Sequence, residues 1–334
     1  MIDISVVIPT CNRKSRILFL LGYLLHASYN LKEVIVVDSG EDRLTKDELN
    51  RFSALNLQYV NSEKSVCIQR NKGIELATSE WIFVCDDDIE VPVDYVEKIS
   101  LHIDGNPGAV AISGFVLQKE DEHWVTQYPI TSTKDLLWKY IFKLSIWGEI
   151  KCKDNFISGC LKKYYAKKGN HISKAGWPVI TNFSGEYFIV PAFGLGASII
   201  KREWLLKNPY DEVLDSHGIG DNYGLSVSFP ENAIHILTTA FVYHHQSKAN
   251  RLQRKLQYYR RILALDYFRK TKPRLSFVKK YLLLWSLFGN ALMAIIKLDS
   301  QIIKANLKLI FVIALNKNPY TIGAKKGEKI IQPT

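Results

Sequence analysis

Cysteine is scarce in this 334-residue chain. Cys11, Cys67, Cys85, Cys152 and Cys160 are an odd number without CxxC spacing. That argues against a disulfide framework or a zinc site, and for a reduced, cytoplasmic chain. Long apolar runs are missing too. The longest in the tail, Tyr281 to Ile296, is broken by Ser286, Gly289 and Asn290. A helix of that length reaches roughly 24 Å, short of the ~30 Å hydrocarbon core. No signal peptide is expected at the start, because Asp3 interrupts the first apolar run and Pro9 stops it. Acids are outnumbered: 33 Asp and Glu against 44 Lys and Arg give a formal charge of +11. Such a surplus suits an anionic partner, whether nucleic acid, an acidic membrane surface or a phosphorylated ligand. A Gly-rich, basic phosphate-gripping loop is absent from the turn Pro9-Thr10-Cys11-Asn12, which speaks against a nucleotidyltransferase.

What the chain does have is Ile82-Phe83-Val84-Cys85-Asp86-Asp87-Asp88-Ile89. Four apolar residues read as a strand buried on both faces, in a mostly parallel sheet. Three carboxylates follow where that strand must end. Adjacent acids repel, so a compensating cation is expected, and carboxylate oxygens suit Mg²⁺ or Mn²⁺ shared with substrate phosphates. A solvated acidic turn is the plain alternative. Position favours the site, because ligands of open α/β sheets gather outside the carboxyl ends of strands.

The surrounding pattern fits such a sheet. Ile4 to Pro9 reads as a first strand, Ile17 to Leu25 as a helix, and Val34 to Val37 as a strand ending at Asp38-Ser39-Gly40. A short helix over Lys46 to Phe52, a strand over Leu57 to Val60 and a helix over Ser65 to Ala77 lead into the acidic triplet. Strand and helix alternate with a period of about 30 residues, which predicts a doubly wound, mostly parallel α/β sheet. A helix over Val93 to Ile103 and a strand over Ala109 to Val116 close a nucleotide-binding half, 1–116.

Residues 117–190 are less regular. They mix Trp124, Trp138, Trp147 and Trp177 with basic pairs and glycines, and read either as a lid over the acceptor side or as a packed appendage. Residues 191–270 form an acceptor half. In it Gly194 and Gly196 let the backbone approach a ligand, Asp221 lies in a glycine-punctuated turn, and a last strand, Ala240 to Tyr243, ends in His244-His245. A basic, tyrosine-bearing helix spans Arg251 to Lys270. Residues 271–334 make a basic helical tail, in which Lys279, Lys280, Lys297, Lys304 and Lys308 flank the apolar runs. An amphipathic hairpin in a membrane interface and a helical pair packed on the protein's own core both fit it.

Taken in order, Val7-Ile8-Pro9-Thr10-Cys11-Asn12-Arg13, Val37-Asp38-Ser39-Gly40, Arg70-Asn71-Lys72-Gly73, Asp86-Asp87-Asp88, Gly194-Leu195-Gly196-Ala197, Gly220-Asp221-Asn222 and His244 resemble the family 2 glycosyltransferases of the GT-A fold. The tail is similar to those of bacterial members that build surface polysaccharides. The resemblance covers residues 1 to about 270. It implies an enzyme that moves a sugar, with inversion, from a UDP-, GDP- or dTDP-linked donor to a saccharide or lipid-linked acceptor. It also implies a location at the inner face of the cell membrane and no nucleic-acid partner. It assigns Asp86 and Asp88 to the metal and diphosphate, and Asp87 to the ribose or donor sugar. Thr10 and Asp38 would meet the base and ribose, Arg70 the base or diphosphate, and Pro9, Asn12 and Arg13 the nucleotide pocket. His244 would complete the shell of Mn²⁺ or Mg²⁺, its alternative being a satisfied histidine at a strand end.

In that family the general base is an acid in a Gly-Glu-Asp type motif. Here the second acid is Asn222, and the acid usual before the following leucine is Gly224. Asp221 is thus the only carboxylate within the motif and the candidate base, with Asp215 as fallback. These departures keep one rival open, a catalytically inactive sugar-nucleotide-binding scaffold. A nucleic-acid-binding protein would use the charge and the tyrosine-bearing helix, but would not need acids at three strand or turn ends.

Overall fold

The computed structural model describes residues 2–245 and 252–334. Its first half follows the predicted alternation. Strands β1 (Ile4–Thr10), β2 (Glu33–Asp38), β3 (Leu57–Asn61) and β4 (Trp81–Cys85) are interleaved with helices α1 (Lys14–Leu25), α2 (Lys46–Asn50) and α3 (Val66–Leu76). All four strands are parallel, in the order β3-β2-β1-β4. The β-branched runs of β1 and β2 are wholly buried, as a sheet covered on both faces requires. Pro9 does not stop β1. Beyond Val7 the strand pairs only with β2, out to Thr10 and Asp38, so a missing N–H is tolerated on the free side. Helix α3 lies tight on the sheet at Gly73, where a Cβ would come within 2.4 Å of Val7.

The second half is mixed rather than parallel. A short β5 (Ile89–Glu90) and α4 (Tyr95–Gly105) lead to β6 (Ala111–Glu120) and β7 (His123–Val125). The segment 117–190 is more ordered than its composition predicts. It holds α5 (Thr133–Ile141), β8 (Ile146–Trp147), α6 (Phe156–Lys168), β9 (His171–Ile172) and β10 (Pro178–Ile180). A three-stranded sheet, β8-β10-β9, packs there on a small core of Ile130, Leu136, Ile146, Leu161, Tyr165 and Val179. The chain then returns through β11 (Tyr187–Ile189), β12 (Ala197–Lys201), α7 (Arg202–Lys207), α8 (Asp221–Ser226) and β13 (Ile234–His244). The full order is β11-β13-β6-β12-β4-β1-β2-β3, with β12 antiparallel to both β4 and β6. The last strand starts at Ile234, six residues ahead of the apolar run that announces it, because its early part is shielded by β6 and β11.

Helices α9 (Arg254–Thr271), α10 (Lys280–Ile296), α11 (Ser300–Ala314) and α12 (Pro319–Lys325) complete the chain. Arg251, where the sequence starts the basic helix, lies outside the described residues. The tail is not a loose hairpin. Leu283, Leu287, Leu309, Ile313 and Tyr320 share one core with Val7, Ile35 and Val84 of the sheet. The residues that break the apolar run of α10 are its contacts. Ser286 Oγ accepts the Trp177 indole N–H at 2.8 Å, Asn290 donates to Tyr258 Oη at 3.2 Å, and a Cβ on Gly289 would sit 2.2 Å from the Phe142 ring. The opposite face of α10 is open and apolar, with Tyr281, Trp285, Phe288 and Ile295 exposed at helical spacing. Among the described residues no helix is long and apolar enough to cross a membrane.

Candidate active site

The acidic triplet follows β4 directly, so the sheet delivers it to the carboxyl-end crevice. A cavity of about 360 Å³ opens there, lined by Pro9, Thr10, Arg13, Arg70, all three acids, Asp221 and His244. Each acid meets different chemistry. Asp87 is buried, accepts from Thr10 Oγ1 at 2.7 Å and pairs with Arg13 Nη1 at 2.7 Å. Burial outweighs that arginine and pushes Asp87 up to about 6. Asp88 faces His244, whose Nε2 lies 3.2 Å from Oδ1, and Arg13 at 3.3 Å. Burial alone would raise Asp88, but the histidine hydrogen bond and charge leave it below its ordinary value. Asp86 turns the other way, to Arg70 Nη2 at 2.5 Å.

Arg70 is buried, stacked 5.1 Å over the Tyr210 ring, and its second amino group grips Asp221. It thus ties the triplet to the candidate base. Burial lifts Asp221 to about 6, with Arg70 opposing. Asp221 opens α8 after Gly220, whose φ of 101° favours glycine. A Cβ on Gly220 would meet Ala264 of α9 at 2.7 Å, and one on Gly224 would lie 2.2 Å from the Phe268 ring. The missing family acid at Gly224 therefore has a cause in packing: α9 leaves no room for a side chain.

Asp215 sits apart from this cavity. It is fully buried, accepts from Tyr320 Oη at 2.9 Å and the His217 N–H at 3.0 Å, and lies 3.0 Å from Arg260 Nη1. Burial would raise it, but His217 and Arg260 hold it below the usual carboxylate range. The same loop is strapped by the last residues, with Ile330 and Ile331 donating to the carbonyls of Glu212 and Val213.

Asp38 accepts from Tyr59 Oη and, at 2.7 Å, from the Gly40 N–H. Asn12 adopts φ 52° and its Oδ1 accepts the Glu41 N–H at 2.8 Å, so it shapes the turn beside Asp38. Gly196 makes room for a side chain rather than a ligand, since its Cβ would fall 2.0 Å from Asp86 Oδ2. Sequence reasoning missed Gln69, whose amide donates to the carbonyls of Thr10 and Val37 at 2.7 Å each, clamping the ends of β1 and β2. A buried glutamine in the helix beside Arg70 was the available signal. It also missed Gln118, 2.9 Å from His244 Nδ1. An amide can present oxygen or nitrogen, so it serves either histidine tautomer.

Among the described residues no three His, Cys, Asp or Glu side chains converge to hold an ion by themselves. Two do stand together. Octahedral ligands at about 2.1 Å from Mg²⁺ lie roughly 3 Å apart, close to the 3.2 Å between Asp88 Oδ1 and His244 Nε2. A carboxylate and an imidazole, finished by substrate phosphates, suit Mn²⁺ or Mg²⁺.

The family model described as glycosyl transferase family 2 matches residues 5–167. The chain is 28% identical over 110 residues to a glucosyl-dolichyl phosphate glucuronosyltransferase of Haloferax volcanii, which is 32% of this chain and 34% of that protein. It is 33% identical over 103 residues to the amylovoran biosynthesis glycosyltransferase AmsB of Erwinia amylovora, 29% of this chain and 34% of that protein. The matched stretches thus span about a third of either relative. Among solved structures, S. aureus TarS 1-349 in complex with UDP-GlcNAc aligns over 98% of this chain and 92% of that one, with TM-score 0.55 and 14% identity. That likeness concerns the fold, which is GT-A. The likeness to glycosyl transferase family 2 covers residues 5–167 of this chain.

Proposed function

We propose that this protein is an inverting glycosyltransferase that moves a sugar from a nucleoside-diphosphate donor to a saccharide or lipid-linked acceptor in cell-surface polysaccharide synthesis. One observation carries the reading. The strand-end acids, the Arg70 bridge and Asp221 line one cavity at the carboxyl edge of the sheet. The named relatives and a structural neighbour holding UDP-GlcNAc support it.

In this reading Thr10, Arg13 and Asp38 bind the nucleotide, and Asp87 is held for the ribose or donor sugar. Mn²⁺ or Mg²⁺, held by Asp88 and His244, would neutralise charge on the departing diphosphate. Asp221 takes the proton from the acceptor hydroxyl as that oxygen bonds to the anomeric carbon, and the bond to the diphosphate breaks with its electron pair on phosphate oxygen. A carboxylate with pKa about 6 suits that task, being ionised at neutral pH yet basic enough to accept the proton. The apolar stripe of α10, flanked by Lys279, Lys280 and Lys297, supports a peripheral seat on an anionic membrane at the cytoplasmic face. Released nucleoside diphosphate, measured with UDP-, GDP- and dTDP-sugars and Mn²⁺, tests the reading. No release from any of them, with or without saccharide or lipid-linked acceptors, would favour an inactive scaffold.

A further inference from the structure

A second cavity of about 390 Å³ adjoins the first and has a different character. Its walls include Trp147, Trp177, Phe193 and Leu265, and it contains none of the acidic triplet, Thr10 or Arg13. It shares only Gly220, Asp221, Asn222 and Arg261 with the donor cavity. The candidate base therefore stands on the border between the two, as a base serving an acceptor on the far side must.

Two features of this cleft point to its occupant. The first is that the tryptophans are fixed in place. Trp147 spends its indole N–H on the Thr126 carbonyl at 2.7 Å, and Trp177 on Ser286 Oγ at 2.8 Å. Both residues stay partly exposed. Preset aromatic faces with no polar group left to satisfy suit the C–H face of a pyranose.

The second feature is Arg261. It projects from the face of α9 that carries Ala264 and Phe268, the residues packed on the helix of Asp221. Its neighbour Arg260 is paired with Asp215, Arg269 with Asp266, and the cavity arginines Arg13 and Arg70 with acids. Among the described residues Arg261 has neither hydrogen bond nor ion pair. It is exposed to solvent where it lines both cavities, so its guanidinium is open to a ligand. A guanidinium without an acid partner at the mouth of a cleft is available to a bound anion, and its planar fork matches a phosphate or carboxylate.

We propose that the cleft is the acceptor site for an anionic saccharide, with the sugar ring on Trp147 and Trp177 and its phosphate or carboxylate on Arg261. This rests on the transferase reading only in naming the ligand an acceptor. The binding claim stands without it.

Tryptophan fluorescence titration of the full chain tests it, with glucose 6-phosphate, galacturonate, neutral methyl glucoside and inorganic phosphate as probes. UDP with Mn²⁺ reports separately on the donor cavity. A charge-assisted contact implies that Arg261→Gln weakens the better of the two anionic sugars roughly 10- to 100-fold. Methyl glucoside and UDP should bind as before, Arg261→Lys should recover part of the loss, and Trp177→Phe should weaken charged and neutral sugars alike. Which anionic sugar binds tighter tells phosphate from carboxylate. Unchanged sugar binding in Arg261→Gln overturns the proposal. So does a loss confined to UDP, which would assign Arg261 to the donor diphosphate, or inorganic phosphate binding as tightly as either anionic sugar. If donor turnover is never detected but Arg261-dependent sugar binding persists, the transferase reading falls and the site remains.

Discussion

The two sides of the cleft hold their acids in different ways. On the parallel side, Asp86, Asp87 and Asp88 leave β4 together and meet Thr10, Arg13 and Arg70, all carried by elements of the first four strands. On the other side, Asp221 heads a six-residue helix that owes its place to distant parts of the chain. Gly220 and Gly224 let α9 close on it, Arg70 reaches it from α3, and the loop before it is anchored on Arg260 and Tyr320. The side that carries the triplet is a local product of strand ends. The side that carries Asp221 is assembled by tertiary contact, and the tail is part of that assembly.

Substitution at Asp221 separates the halves most sharply. Asp221→Asn keeps the shape and an oxygen for Arg70 but removes the basic carboxylate. Transfer should fall about 10²–10⁴-fold while donor affinity holds, measured by steady-state rates and UDP titration. In the unaltered protein, kcat/KM should fall tenfold per pH unit below about 6, because protonated Asp221 cannot accept the acceptor's proton. Its raised pKa means that ionisation costs the fold. That contribution to stability is fully present below the ordinary carboxylate pKa and lost as pH rises through about 6. If the variant transfers at the unaltered rate, the base lies elsewhere.

On the donor side the largest effect belongs to Asp88. Asp88→Ala leaves His244 and Arg13 without their shared acid, so UDP affinity should drop roughly 100-fold with Mn²⁺ and no longer respond to chelation. Calorimetric titration with and without EDTA reads this directly. Binding that stays tight and chelator-sensitive would remove Asp88 from the metal site.

How much of this was legible follows the same division. The acidic triplet, Asp38 and the parallel strands were readable because apolar runs end in acids at a regular period, and a buried parallel sheet demands such runs. The antiparallel β12 was not, since Ile199 and Ile200 look alike in either direction. The order of 117–190 was hidden because its strands are two or three residues long. Ser286, Gly289 and Asn290 read as breaks in an apolar helix, when each is a contact to a segment elsewhere in the chain. Asp215 read as the fallback to Asp221. In the structure it is tied to Tyr320, 105 residues away, a contact that no local pattern announces.

Gly224 tests whether packing, rather than lost chemistry, explains the departure from the family motif. Gly224→Ala forces a Cβ into the Phe268 ring, and overpacking of that kind costs about 1–3 kcal/mol. Thermal unfolding should shift down by a few degrees. Gly194→Ala is the control, because a Cβ there meets nothing within 4 Å. Equal melting temperatures for the two variants would mean that α9 does not clamp α8.

The smallest effect should come from Tyr320→Phe, and it bears most directly on the tail. The substitution removes one hydroxyl from Asp215 and leaves Arg260 and the His217 N–H in place, so the acid is not orphaned. The loss should be about 1 kcal/mol, the ordinary worth of one hydrogen bond. If the tail only stabilises, melting drops slightly and transfer at low temperature is unchanged. If it positions the catalytic loop, kcat falls several-fold while UDP affinity and the KM for donor stay put, because Thr10, Arg13 and Asp88 do not depend on α12. Asp215→Asn should then reproduce the same split more strongly, since it weakens the ion pair with Arg260 as well. A fall in donor affinity equal to the fall in kcat would count against the division, and would mean that the two sides of the cleft move as one body.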